Sequence, residues 1–291
     1  MKESKSLILI SSWLAMLSAS ALPSIVWYTF LQNEGALFWV PLVQVIGFAI
    51  SFALTFISPS IRQVRGFIWA LLAFAVGDWI VYGIQATGAW LAWAQTAPRV
   101  DRFLVNAFLS LIPCLLMVLT LMGSGIGRRD LFLAKGDLGA PSTMPFGLRP
   151  IRWTILGPVL IILFAFPLML QLILTVRPDF AMAGKAIAAL PFILVFAALN
   201  AASEEFRFRS VLIARIQALL GPNHALLLTS ALFGLGHWFG HPSGPSGVLM
   251  SGLAGWFWGK SMIETRGFLW AWVIHAIQDV VIVAFVVMAS G

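Results

Sequence analysis

Apolar residues in this chain fall in long, nearly unbroken runs separated by charge, Pro and Gly, with neither strict alternation nor a single apolar helical stripe. A spanning helix needs about 20 mostly apolar residues. Nine runs approach that length: 7–30, 36–57, 66–93, 103–122, 153–176, 185–220, 225–239, 248–263 and 268–288. The seventh and eighth are short for full spans, and the sixth is so long that its helix begins only near Pro191 or lies tilted. The pattern predicts an all-α fold, a polytopic transmembrane helical bundle of about eight or nine spanning helices. Its parts are a four-helix membrane region (1–122), a cytoplasmic linker rich in Gly, Pro and charge (123–152), a connecting transmembrane helix (153–184) and a core (185–288). The first run has a second reading as a secretory signal, because Lys2 and Lys5 precede it and Ala19-Ser20-Ala21 resembles a cleavage site. Its apolar character continues to Phe30, which favours a spanning helix.

Composition turns this pattern into an exclusion. Of 291 residues 60% are hydrophobic and 10% charged, whereas roughly a quarter of a soluble domain is charged. That little charge cannot cover a soluble surface of this size, so a soluble enzyme is ruled out. Cys114 is the single cysteine, which excludes a disulfide framework and a Cys-based zinc site. The net charge of +7 is scattered through short loops without a basic stripe, so nucleic acid is not an expected partner. Those charges report orientation instead. With the N-terminus inside, Lys2, Lys5, Arg62, Arg65, Arg128, Arg129, Lys135, Arg149, Arg152, Arg215, Lys260 and Arg266 are cytoplasmic, against Arg99, Arg102, Arg177 and Lys185 outside. An integral, multi-pass protein of the cell membrane is expected, with lipid as its first partner.

Charge inside hydrocarbon costs at least about 2.5 kcal/mol per group and is by default a sign of function. The core carries three such clusters: Glu204-Glu205-Phe206-Arg207-Phe208-Arg209, Phe233-Gly234-Leu235-Gly236-His237, and His275-Ala276-Ile277-Gln278-Asp279. Gly221-Pro222-Asn223 marks a turn, with Glu204 17 residues before Gly221 and His237 16 after it. Antiparallel helices would therefore bring the two to one depth. Counted from cytoplasmic edges at Arg215 and Arg266, Glu204, His275 and Asp279 lie 11, 9 and 13 residues in, roughly 13 to 20 Å at the helical rise.

Offsets within each helix assign faces. Glu205 and Arg209 stand i,i+4 in the favourable order for an ion pair, while Glu204 points about 100° away and is left for chemistry. His275 and Asp279 also share a face. Gly234 and Gly236 clear space beside His237 for a neighbouring backbone or a substrate. Water activation fits this set: a Glu204 carboxylate bonded to His237 could deprotonate a water, with His275 donating to the developing oxyanion. Ser203 diverges from Glu204, and no other Ser or Cys lies within the clusters, which argues against a covalent nucleophile. No H-E-x-x-H is present, although Glu204, His237, His275 and Asp279 are acceptable zinc ligands in type and number.

These residues resemble the CAAX-processing and bacteriocin-processing (CPBP, or ABI) family of intramembrane endopeptidases, which includes the type II CAAX prenyl endopeptidase. Its motifs E-E-x-x-x-R, F-x-x-x-H and H-x-x-x-N/D stand here, in the family's order, as Glu204-Glu205-x-x-x-Arg209, Phe233-x-x-x-His237 and His275-x-x-x-Asp279. The resemblance covers about residues 185–288 and nothing before them. It implies an all-helical membrane fold and cleavage of a membrane-associated protein or peptide. Glu204 and His237 would activate water, His275 and residue 279 would stabilise the oxyanion, and Glu205 with Arg209 would support them. It also implies a glutamate-type reaction with no cofactor, zinc dependence being the alternative. Asp279 departs from the Asn of the prenyl endopeptidases, since an ionised carboxylate cannot donate. It is protonated, orients His275, or ligates a metal.

Outside the clusters, His224 and His241 read as interfacial polar groups, and Asp78 as a carboxylate bonded to a neighbouring helix. Trp69, Trp90, Trp93, Trp256, Trp258, Trp270 and Trp272 read as lipid-interface or packing residues. The rival function is a transporter or non-catalytic scaffold using the Glu/His/Asp cluster for ions or protons. It would call for broken helices or repeated halves, and neither is evident in the sequence. Substrate identity and oligomeric state are left open.

Overall fold

The structure is a computed structural model that describes residues 2–31, 36–59, 61–122, 124–144 and 148–289. Gly123, the first residue of the expected linker, lies outside them, as does the side chain of Lys2. The described residues are almost wholly helical: α1 (Lys2–Ala19), α2 (Leu22–Val26), α3 (Ala36–Ile57), α4 (Arg65–Gln85), α5 (Gly88–Thr96), α6 (Arg99–Leu109) and α7 (Leu111–Leu121) form the front part. After the linker come α8 (Trp153–Thr175), α9 (Ala183–Ala188), α10 (Leu190–Glu205), α11 (Val211–Leu220), α12 (Pro222–Gly236), α13 (Gly244–Thr265) and α14 (Leu269–Met288). The fold is an all-α bundle, as the hydropathy runs imply.

Among the described residues five helices are long and apolar enough to cross a membrane, and up to seven spans result if each of two bent pairs counts as one. The difference from nine runs has local causes. Helix α12 has only 15 residues, and α13, although 22 residues long, is too poor in apolar residues to count as a span, with Gly, Ser and Lys260 along it. The first run bends by 61° between Ala19 and Leu22, just ahead of Pro23. The sixth bends by 74° at Ala189, and its long helix starts at Leu190, with Pro191 in the first turn where a missing N–H costs nothing. Two helices are thus broken, but the break at Ala189 is 15 residues from Glu204, about 22 Å along the helix. No unwound backbone reaches the polar cluster from it.

Helix α12 packs along α13, and α10 lies between α14 and α6. The α12–α13 seam is close because Gly234 faces the partner backbone: a Cβ there would stand 2.6 Å from the Val248 carbonyl oxygen. Gly236 meets nothing within 4 Å and leaves open space instead.

The linker is not free chain. Its two-residue strands Pro141–Ser142 and Ile151–Arg152 pair antiparallel, and its backbone binds the α13–α14 turn through Asp137 N–H to Thr265 O (2.8 Å) and Phe268 N–H to Ala134 O (2.8 Å). Glu264 ties it further, accepting from Thr143 N–H (2.9 Å), Thr143 Oγ1 (2.5 Å), Trp153 Nε1 (2.9 Å) and Lys260 Nζ.

Candidate active site

Immediately after Glu205 the helix widens into a π turn at Phe206–Ser210 before α11 resumes. Such single-turn widenings accompany functional sites, because the extra residue redirects side chains. Here Arg209 turns back to Glu205 at 2.5 Å, with neither side chain exposed, which is the pair expected from the i,i+4 spacing. Arg207 extends the other way, to Asp78 of α4 at 3.5 Å.

Arg209 is built into the core. Its Nε–H donates to the Gly255 carbonyl at 3.1 Å, and its guanidinium lies over Phe233 (4.1 Å) and Trp258 (4.9 Å). Gly255 makes this approach feasible, since a Cβ would fall 2.6 Å from Arg209 Nη2. Phe233 is the hub of the packing, touching Phe208, His237, Trp258 and His275 by ring contacts.

His275 is held on two sides. Trp258 stacks on its ring at 4.2 Å and 16°, and Nδ1 lies 2.8 Å from Glu205 Oε1. Because Glu205 also accepts from Arg209 it is the acceptor here, so Nδ1–H donates and Nε2 is left facing the remaining acids. Nε2 stands 3.5 Å from Glu204 Oε2 and 3.7 Å from Asp279 Oδ1. Asp279 Oδ2 accepts from Asn200 Nδ2 at 3.1 Å. Glu204, with a side chain 20% exposed, makes no hydrogen bond among the described residues. It lies within electrostatic range of His237.

The three clusters therefore meet, with one difference in detail. The expected Glu204–His237 hydrogen bond is not formed: His237 Nδ1 binds the Phe233 carbonyl at 3.0 Å, because His237 sits where α12 ends and that carbonyl has lost its helical partner. His237, His275 and Asp279 line a common cavity of about 50 Å3, with room for water. His241 lines it too, although it reads from sequence as interfacial. Asn200 and Trp258 are the other partners that sequence reasoning missed. Asn200 was discoverable, standing four residues before Glu204 on the same helix face, whereas nothing in the sequence marks Trp258 from the other tryptophans. Among the described residues no three His, Cys, Asp or Glu side chains form an arrangement that could hold a metal ion.

A buried polar cluster enclosed by apolar helices defines a class: an integral membrane protein with ionisable groups inside its bundle. Residues 186–281, about a third of the chain, are similar to the family described as type II CAAX prenyl endopeptidase Rce1-like, a likeness that supports a hydrolase of peptide bonds. No curated protein and no solved structure matches the chain. The matched residues include the three clusters, and they begin beyond the front helices and the linker.

Proposed function

We propose that this chain is an intramembrane endopeptidase of the glutamate type, acting on a membrane-associated protein or peptide in the cell membrane. The observation that carries the reading is the contrast among the acids. Glu205 and Asp279 each accept a hydrogen bond from a nitrogen donor within the cluster, whereas Glu204 accepts none and has only the His275 ring beside it, Nε2 lying 3.5 Å from its Oε2. An enclosed carboxylate with open acceptor sites is suited to hold a water and take its proton.

In the proposed reaction Glu204, assisted by His237, deprotonates water as it attacks the scissile carbonyl. His275 Nε2–H donates to the resulting oxyanion, and the proton held at Glu204 passes to the leaving amine. Since Nδ1–H is committed to Glu205, donation from Nε2 requires the doubly protonated ring. Glu205 and Arg209 position that ring. Asp279, held by Asn200, orients it from the other side, and this is the role we assign to Asp in place of Asn. No step calls for a metal.

The test is cleavage of a membrane-anchored peptide library by the purified protein in lipid. Glu204→Gln should lower the rate by about 10²- to 10⁴-fold, the usual worth of a general base, while leaving the protein folded. Undiminished cleavage by this variant, or none by the wild type, would exclude the reading.

A further inference from the structure

The cavity that holds His237, His275 and Asp279 is rich in acceptors and short of donors. His237 Nδ1 lies 3.0 Å from the Phe233 carbonyl, which can only accept, so Nδ1–H donates and the neutral ring keeps a bare Nε2. His275 is in the same state, its Nδ1–H given to Glu205. Glu204 and Asp279 face it with carboxylate oxygens, and the Gln278 amide nitrogen is spent on the Ile161 carbonyl at 3.3 Å. His241 is exposed, and the indole N–H of Trp258 is sealed in the packing. A water suits such a set because it brings two protons of its own, one for Glu204 and one for His237 Nε2. The oxyanion formed when that water attacks brings none and calls for donors.

The one hydroxyl among the described residues lining the cavity belongs to Ser251 of α13. Ser251 is 7% exposed, and its Oγ finds no partner among the described residues. Ser261 and Thr265 of the same helix return their hydroxyls to the carbonyls of Trp258 and Ser261, both at 2.7 Å, as enclosed helical serines and threonines commonly do. Helix spacing explains where Ser251 stands. Gly247, about one turn before it, abuts the His237 carbonyl, where a Cβ would lie 2.8 Å away. Gly255, about one turn after it, meets Arg209, and Trp258, about two turns after it, stacks on His275. Ser251 thus sits on the face of α13 that runs from one histidine to the other. A hydroxyl enclosed there is costly unless water or substrate meets it.

We infer that Ser251 is a further catalytic residue, its hydroxyl donating to the oxyanion alongside His275 Nε2; this rests on the proposed peptidase reading. Ser251 keeps its proton throughout. The C–O bond forms as Glu204 takes a proton from the water, and the charge gathers on the former carbonyl oxygen against Ser251 Oγ–H. As the C–N bond breaks, the proton held at Glu204 goes to the leaving amine. The hydroxyl acts where an ionised Asp279 has no proton to give.

The full chain in lipid is tested with the peptide it cuts fastest and with the same peptide carrying a phosphonamidate in place of the scissile amide. Ser251→Ala should lower kcat by about 10²-fold and leave KM within about twofold, as expected for a contact made only in the transition state. Affinity for the phosphonamidate, whose anionic oxygens stand in for the oxyanion, should fall by a similar factor. Ser251→Thr keeps the hydroxyl and should keep most of the rate, and thermal unfolding checks that both variants fold. Cleavage by Ser251→Ala at the wild-type rate, a loss confined to KM, unchanged affinity for the phosphonamidate, or a folded Ser251→Thr as slow as Ser251→Ala overturns the inference and leaves the peptidase reading standing. Covalent labelling of Ser251 by a fluorophosphonate would make it a nucleophile and overturns the inference as well. A wild type that cuts no peptide removes both.

Discussion

Glu205 Oε1 receives both Arg209 and His275, so one carboxylate oxygen fixes a buried cation and the ring that faces Glu204. Positioning of His275 and neutralisation of Arg209 are one interaction, and losing Glu205 removes both. Glu205→Ala leaves a fully buried guanidinium unpaired and should destabilise the protein by about 3–5 kcal/mol. Thermal unfolding in detergent should show the loss directly, with Glu204→Ala as the contrasting variant that unfolds near the wild-type temperature.

Asn200 and Asp279 offer an exchange experiment. Their contact at 3.1 Å pairs an amide donor with a carboxylate. Asn200→Asp places two carboxylates together and should lower cleavage by at least about tenfold, as a like-charge contact of over 1.4 kcal/mol implies. The double exchange Asn200→Asp with Asp279→Asn restores one donor and one acceptor and should recover much of the rate. A double variant no better than the single one would remove the positioning role from this pair.

The two glycines ahead of His237 should behave differently. Gly234→Ala forces α12 and α13 apart against the Val248 carbonyl and should cost about 1–3 kcal/mol. Gly236→Ala has open space around its added methyl and should be near neutral. Melting temperatures of the two variants compare them within one protein.

Zinc dependence is tested by treating the active protein with a strong chelator. The proposed reaction predicts cleavage unchanged, and activity lost to chelator and regained with zinc would replace Glu204 as the sole activator of water.

Glu264 makes the linker tether dependent on pH. It lies just past the apolar run of α13, where burial raises its proton affinity, but bonds from Lys260, Thr143 and Trp153 outweigh this and hold its carboxyl below its ordinary value of 4.5. A group held below its unfolded value contributes stability that is present above that value and lost as pH falls through the lowered one. Proteolysis of residues 131–143 should therefore accelerate on acidification, and in Glu264→Gln the rate should no longer change with pH.

The parts of this molecule that were legible are those governed by local spacing. Glu205 and Arg209 pair because four residues make nearly one helical turn, and the start of α10 beside Pro191 follows from the backbone of proline. Depth arithmetic correctly gathered Glu204, His275 and Asp279. It could not choose the hydrogen bond of His237, which depends on where α12 ends. Asp78 and Arg207, 129 positions apart, meet through packing that no periodicity encodes. Hydropathy measures apolar length and not axis direction, so a run such as 185–220 gave no account of its 74° bend.

The contact of Arg207 with Asp78 bears on how such a chain can be divided. The arginine side chain is 9% exposed and belongs to the matched segment, whereas the aspartate belongs to a helix far upstream of it. Ser110 of the front part reaches the same region, its hydroxyl 2.8 Å from that of Ser203. A fragment starting after the linker would leave Arg207 without its Asp78 partner and would need the missing helices supplied in trans before it could insert and fold. The upstream helices are thus an internal assembly partner for the matched segment: two separately expressed pieces should accumulate only when made together, and the seam between them runs beside the Glu204 cluster.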